Sequence, residues 1–443
     1  MKKPESPPSL AKLKGNTILL FSGETLDKLS LIEKEYPYWS DFKYKVKAIP
    51  KRPQALWYRV KTIRNGSAKY FRISNSPLFK FKYNITASTQ KLLHEFDLNF
   101  GGSLIRGSGI AEEDKDRYLM NSIMEESIAS SQIEGAVTTR EAAKDMLRKE
   151  RKPRNKSEQM IFNNYVTIKR ILELKDKPLT IEMLLDIHKM MTKDTLEDIA
   201  NEGRFRTNNE VVVEDAITHE TVYSPPDYKY VDEVIPALCA FANSNNDDEF
   251  IHPVVRASVL HFLIGYIHPF VDGNGRTARA IFYWYLLSKD YWLVEYMSIS
   301  RIIKKSPSQY AAAYLHSELD ENDVTYFINY QLKALDQAYK ELKEFLERKN
   351  REKKELLVLV KTIDVNNRQQ QLIQSFINDA NKTMTVKEVS VIFAISNQTA
   401  NTDLMGLAKK GFLSYKKIGK TLTFFKSDKF DFKVGRVGKK KNN

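Results

Sequence analysis

His268-Pro269-Phe270-Val271-Asp272-Gly273-Asn274-Gly275-Arg276-Thr277-Ala278-Arg279 is the stretch on which the fold and the chemistry turn. The residues before it, 253–266, place Val254, Val255, Leu260 and Ile264 at helical spacing. A residue ahead of a proline is disfavoured in a helix, so that helix stops at His268-Pro269. Phe270 is an apolar anchor that can pin the loop to a core. Gly273-Asn274-Gly275 then opens a second helix that runs to Leu287. A glycine turn entering a helix N-terminus presents backbone N–H groups and the positive end of the helix dipole, which together make an anion site. Arg276 and Arg279, at i and i+3, project from one face beside it, and two guanidinium forks suit more than one phosphate. Asp272 offers the hard oxygen that Mg2+ prefers in phosphate company. His268 is placed as a general base. A lone Gly-x-Gly would be an ordinary helix–loop–helix turn. Here a histidine, a carboxylate, two glycines and two arginines converge on one phosphate-sized site.

Outward from the loop, helical spacing governs the chain from about Asp114 to Phe345, over residues 126–133, 158–174, 181–191, 231–242, 253–266, 274–288 and 323–346. One interruption, Val211-Val212-Val213 with Thr221-Val222-Tyr223, reads as a short hairpin ended by Pro225-Pro226. Residues 1–110 read as a mixed region, with a hairpin formed by residues 55–60 and 70–73 around Asn65-Gly66. Residues 346–366 form a charged helical connector. In 367–430, helices over 372–377, 386–393 (capped by Thr385) and 397–410 (capped by Ser396, stopped by Gly411) precede a hairpin around Gly419-Lys420. Three helices followed by a hairpin is the winged-helix pattern. Residues 431–443 form a basic tail. The expected fold is therefore mainly α, with a helical core over 111–345, a hairpin flap, a mixed N-terminal region and a C-terminal winged helix.

Composition narrows the class. The 443 residues carry a net charge of +14, with 42% hydrophobic and 28% charged side chains, so the chain can bury cores and favours an acidic partner such as nucleic acid or nucleotide phosphates. The single cysteine, Cys239, lies in an apolar stretch and suits packing rather than nucleophilic chemistry. It allows no intramolecular disulfide, which fits a reducing compartment. No segment approaches the ~20 apolar residues of a membrane span. No apolar run of signal-peptide length follows Met1-Lys2-Lys3-Pro4, and cytoplasm is the expected location.

The loop resembles the Fic family motif, His-Pro-Phe-x-Asp/Glu-Gly-Asn-Gly-Arg-x-x-Arg, at every fixed position. The resemblance implies a protein adenylyltransferase that moves AMP from ATP to a Ser, Thr or Tyr hydroxyl of a target protein or of the chain itself. His268 would deprotonate the hydroxyl, and Asp272 would bind Mg2+ bridging the α- and β-phosphates. Gly273, Asn274 and Gly275 would hold phosphates through backbone donors, Arg276 the β-phosphate region and Arg279 the γ-phosphate. Family members that transfer phosphate instead have a changed glycine, whereas both glycines are kept here. Upstream, Ser130-Ser131-Gln132-Ile133-Glu134-Gly135 would alone be a helix end with a surface glutamate. Beside this loop it resembles the family's inhibitory motif, Ser/Thr-x-x-x-Glu-Gly/Asn, over residues 126–135. That implies that Glu134, with Ser130 on the same face, pairs with Arg279 and takes the γ-phosphate's place. In some relatives this glutamate assists hydrolytic removal of AMP.

Gly203-Arg204-Phe205-Arg206 and Val211, Val212 and Val213 resemble the stretch leading into the family's flap, where a strand can be added to an extended target segment. An ordinary surface hairpin is the alternative. In the winged helix, Asn397, Gln398, Thr399 and Asn401, with Lys416, Lys417 and Lys420 at the wing, can face DNA; a protein-interaction or homodimer role is the alternative. The competing readings of the whole chain are a DNA-binding regulator whose Fic domain senses nucleotide, a transferase using UTP or GTP, and an enzyme removing AMP.

Overall fold

A computed structural model describes residues 3–10, 21–101, 112–214, 220–244, 250–359, 365–379, 382–419 and 421–434. It opens with α1 (Gly23–Glu33), α2 (Trp39–Lys45), α3 (Pro53–Ser67), the strand pair β1 (Lys69–Arg72) and β2 (Lys80–Tyr83), and α4 (Ala87–Phe100). Helices α5 (Glu112–Ile133), α6 (Arg140–Arg148), α7 (Lys156–Leu174) and α8 (Ile181–Thr192) follow, then strands β3 (Val213–Glu214) and β4 (Thr221–Tyr223). The helical body continues through α9 (Val231–Asn243), α10 (Pro253–Ile267), α11 (Asn274–Ser288), α12 (Ile299–Lys305), α13 (Pro307–Leu319) and α14 (Thr325–Leu359). A C-terminal module holds α15 (Asn367–Asn378), β5 (Thr383–Thr385), α16 (Val386–Phe393), α17 (Asn397–Lys409), β6 (Leu413–Ile418), β7 (Thr421–Lys426) and α18 (Phe430–Lys433). The fold is mainly α, and no helix among the described residues is long and apolar enough to cross a membrane.

The centre of the body is the pair α10 and α11. Between Val254 and Ile267 every α10 residue except Gly265 is buried, as expected for a helix that is apolar all round rather than on one stripe. Two of its polar members find partners inside: Ser258 donates to the Val254 carbonyl at 2.8 Å, and the His261 ring lies 2.9 Å from Tyr310 Oη and 3.0 Å from Gln331 Nε2. Such satisfaction keeps buried polar groups from costing their desolvation energy. Cys239 is buried in this same core, as its surroundings in sequence foretold.

The N-terminal region departs from expectation. Residues 55–60 are not a strand but part of α3, which begins with Pro53 in its first turn and runs through Asn65-Gly66. Its buried residues Leu56, Trp57, Val60 and Arg64 follow the helical period, and that burial outweighs the strand preference of Trp, Tyr and Val. Arg64 is locked by Glu33 at 2.9 Å and by Tyr326 Oη at 2.8 Å. Tyr70 and Phe71 do form a strand, but its partner is β2, with Lys69 opposite Tyr83. The two halves of residues 1–110 also belong to different cores. Leu29, Trp39 and Trp57 form one around Tyr326, while Phe81, Phe96 and Phe100 join the main one.

Two further boundaries shift. The helix Thr325–Leu359 is continuous across residue 346, so the charged connector extends the core helix instead of following it. In the C-terminal module β5 is an added strand, giving the antiparallel order β5-β7-β6 beside the three helices. Both expected caps are present: Thr385 makes a capping box with Glu388, and the Ser396 hydroxyl accepts from Thr399 N–H. Gly411 has φ 73°, a left-handed turn that suits glycine after a helix. The module has its own core of Leu372, Phe376, Val389, Leu404 and Phe424. The hairpin turn at 215–219, Lys420, residues 360–364 and the tail from 435 lie outside the described residues.

Candidate active site

The loop between α10 and α11 is fixed by four devices. His268 ends α10 in a left-handed conformation (φ 51°, ψ 57°), and Gly273 enters α11 at φ 82°. The Asn274 side chain bonds the Phe270 backbone both ways, accepting from its N–H at 3.0 Å and donating to its carbonyl at 2.9 Å. Phe270 is fully buried and stacks on His188, with ring centroids 3.7 Å apart. Arg206 donates from Nε to the His268 carbonyl at 2.9 Å, and its own N–H reaches the Pro269 carbonyl at 2.8 Å. Asn274 is thus held by its side chain as a loop brace, which leaves only its backbone N–H for any anion.

Neither His188 nor Arg206 was identified from sequence as a site residue. The His188 ring accepts from Gly203 N–H at Nδ1 (3.1 Å) and donates from Nε2 to the Asp272 carbonyl (2.8 Å), so it joins the segment leading to the hairpin to the loop. This requires one neutral tautomer, and burial pulls its pKa down to about 4. Its partners lie 15 and 84 residues away in sequence, and a histidine on an apolar helix face carries no local sign of such a role.

The loop residues singled out in the sequence lie close together. His268 is half-buried, and its Nδ1 lies 3.1 Å from the Gly265 carbonyl, which takes the Nδ1 proton and leaves Nε2 as the open acceptor. Burial pulls its pKa below the usual histidine value, with the Gly265 carbonyl and Glu134 opposing, so the ring is neutral at pH 7. Arg276 is buried; one nitrogen donates to the Met191 carbonyl at 3.1 Å, and Nη2 lies 3.5 Å from Asp272 Oδ2. Arg276 Nε and Nη2 and Arg279 Nη1 have no hydrogen-bond partner among the described residues. Three buried guanidinium nitrogens without a hydrogen bond among the described residues, at a helix N-terminus, leave room for an anion.

Arg279 carries the remaining contacts. Its Nη2 meets Glu134 Oε1 at 2.8 Å and the Ser130 carbonyl at 3.0 Å, while Nε donates to Ser130 Oγ at 2.9 Å. Ser130 and Glu134 therefore both reach the arginine from 145 or more residues away in sequence. Burial alone would lower the Arg279 pKa, but Glu134 and its acidic neighbours outweigh it and the pKa rises. A Cβ on Gly275 would collide with the Glu134 carboxylate, which shows how closely this carboxylate sits over the first turn of α11. Glu126 holds the same helix in place, accepting from Tyr283 Oη at 2.9 Å and from Ser300 N–H at 2.9 Å.

The hairpin beside the site is present but shorter than expected. Among the described residues, only Val213 and Glu214 pair with β4; Val211 and Val212 lie ahead of the strand, and Val212 is 39% exposed. At the rim no layer of core lies over the valine run, so β propensity alone does not extend the ladder. Tyr223 anchors β4 by donating to the Tyr266 carbonyl at 2.7 Å.

The helical body thus brings a neutral histidine and two buried arginines together at one central loop. The family model described as "Fic/DOC family" matches residues 178–286 of the chain. Among curated relatives, a protein adenylyltransferase Fic of Nematostella vectensis is 33% identical over 107 residues, covering 24% of this chain and 22% of that protein. Protein adenylyltransferase fic-1 of Caenorhabditis elegans is 28% identical over 111 residues, covering 25% and 20%. The matched stretch thus spans about a fifth of these relatives' length. Among solved structures, a Fic family protein from Desulfovibrio desulfuricans aligns over 78% of this chain and 98% of its own, at 18% identity and TM-score 0.49.

Proposed function

We propose that this chain is a protein adenylyltransferase that moves AMP from ATP to a hydroxyl side chain of a target protein and is held back by its own Glu134. The observation that carries the reading is the pairing, at one helix N-terminus, of a neutral histidine with an open Nε2 and two buried arginines with unpartnered nitrogens. In this reading Nε2 of His268 takes the proton of the target hydroxyl. The hydroxyl oxygen forms a bond to the α-phosphorus, and pyrophosphate leaves. Backbone donors of Gly273 to Gly275 with Arg276 steady the phosphates, and Arg279 receives the γ-phosphate when Glu134 is away. A nearby target strand would align along β3 and β4.

Asp272 fits Mg2+. Its side chain is about half exposed; Oδ1 accepts from Gly273 N–H at 2.5 Å, and Oδ2 lies beside Arg276. No group of three or more acidic, histidine or cysteine side chains is placed to hold a metal ion among the described residues. One carboxylate completed by substrate phosphates and water is how Mg2+ is usually held, and the ion would neutralise phosphate charge.

Incubating wild type, Glu134→Gly and Glu134→Gly/His268→Ala with each labelled nucleotide in turn tests this. Glu134→Gly should raise self- or target modification at least about tenfold, equivalent to removing ~1.4 kcal/mol of competition. The added His268→Ala should cut it by about 10²–10⁴. Label transfer that survives His268→Ala rejects the base assignment. A mass shift from UTP or GTP would reassign the donor.

We also read the C-terminal module as a winged helix. Asn397, Gln398 and Asn401 are exposed on α17, as are Lys416 and Lys417 on β6, which suits contact with a DNA groove and its phosphates. A gel-shift titration across salt checks it, and absence of binding at low salt rejects it.

A further inference from the structure

Between the helical body and the C-terminal module lies a cavity of about 750 Å3, the size of a typical small-ligand site. Its walls come from α5, α6, α12 and α14 on one side and from α15, β5 and α16 on the other. Nine lysine and arginine side chains line it against three glutamates. Two of these glutamates are each shared by two cations: Glu125 by Arg140 and Lys144, and Glu341 by Arg301 and Lys305. One negative charge against two leaves each group positive. Arg148 and Lys382 line the same space and take part in no ion pair among the described residues. Arg117 crosses the gap to donate to Gln371. Like charges gathered in a recess repel, and a cavity that keeps them gains from an anion.

Two more observations point to a ligand. Ser122 is 7% exposed, and its hydroxyl, in the wall, has no partner among the described residues. The wall also offers flat rings: Tyr118 meets Phe345 edge to face at 5.3 Å, and the Arg117 guanidinium lies 5.9 Å from the centre of the Phe393 ring. Rings and guanidinium planes beside a cationic recess suit a base with attached phosphates.

We propose that this cavity is a second anion site, separate from the loop at His268, that takes a condensed phosphate chain carried by a nucleotide. The site does not depend on the transferase reading, since none of the loop residues takes part in it. The recess supplies two unpaired cations and two half-neutralised pairs for the phosphates, while Ser122 donates and the rings border the base.

Calorimetric titration of the full chain with tripolyphosphate, ATP and GTP at low salt tests the proposal. Three proteins are compared: wild type, Arg148→Glu/Lys382→Glu, and Arg276→Ala, which weakens the loop site. The expected result is binding that persists in Arg276→Ala and weakens at least about tenfold in the charge-reversed variant. Nucleotides binding about tenfold tighter than tripolyphosphate would show that the rings hold a base; equal affinity would overturn the nucleotide half of the proposal and assign the site to inorganic polyphosphate. Should charge reversal prevent folding, judged by the thermal transition, Arg148→Gln/Lys382→Gln replaces it and must still weaken binding. Affinity unchanged in a folded variant overturns the proposal, as does tighter binding of a polyglutamate peptide than of tripolyphosphate.

Discussion

At the residue scale, His268 and His188 show how one side-chain type is put to two uses. Both are kept neutral by burial, but His268 keeps a nitrogen open while His188 spends both on backbone groups. A base acts in its unprotonated form, and the pKa of His268 lies below the ordinary 6.5. The acid limb of the pH–rate profile should therefore fall below pH 6.5; a limb above 7 would contradict the burial argument. His188→Ala would leave Gly203 N–H and the Asp272 carbonyl without partners, at about 1–3 kcal/mol each, and remove the ring under Phe270. Both a lower melting temperature and slower transfer are expected. Unchanged melting would mean that the loop holds itself.

Elements decide where these side chains stand. The turn from loop to α11 depends on Gly273 at φ 82°, where a Cβ would also approach Thr192 Cγ2 at 2.7 Å. Gly273→Ala should cost about 1–2 kcal/mol from the backbone alone, read as a shift in thermal unfolding. Helix α5 is held at two points along its length. Glu126 bolts it to α12, and Ser130 with Glu134 meets Arg279 at its far end. The cap residues Thr385 and Ser396 were legible because capping is an interaction over three residues. The strand β5 was not, since Thr383 to Thr385 are strand-like only when β7 lies beside them.

On the scale of the whole molecule, the main helical core and the core of the C-terminal module are separate, and a carboxyl shifted far toward neutrality lies in the helical body. Burial pushes the Glu318 carboxyl up to about 8, near Tyr223 and Tyr266. The folded state therefore holds a proton that the unfolded chain releases near 4.5. The stabilising effect of that proton is complete below about pH 4.5 and is lost as pH rises through 8. Glu318→Gln should flatten the fall in melting temperature between about pH 5 and 8; an equally steep fall in the variant would place the titrating group elsewhere.

The sequence by itself determined the loop from His268 to Arg279, its two flanking helices and the caps of the C-terminal module. Each of these is set by residues within a dozen positions of one another, where spacing alone fixes the face and the turn. Only the tertiary structure decided that residues 55–60 are helical and that His188 and Arg206 brace the loop, while the Glu134–Arg279 pairing, expected from the resemblance of residues 126–135, stands at 2.8 Å. The helix over 55–60 and the two braces depend on burial against distant elements and on hydrogen bonds spanning up to 84 residues, which no local pattern encodes. The loop's glycine turn and the spacing of its two arginines were written in its own twelve residues, and the carboxylate set beside Arg279 came with the packing of α5 against α11.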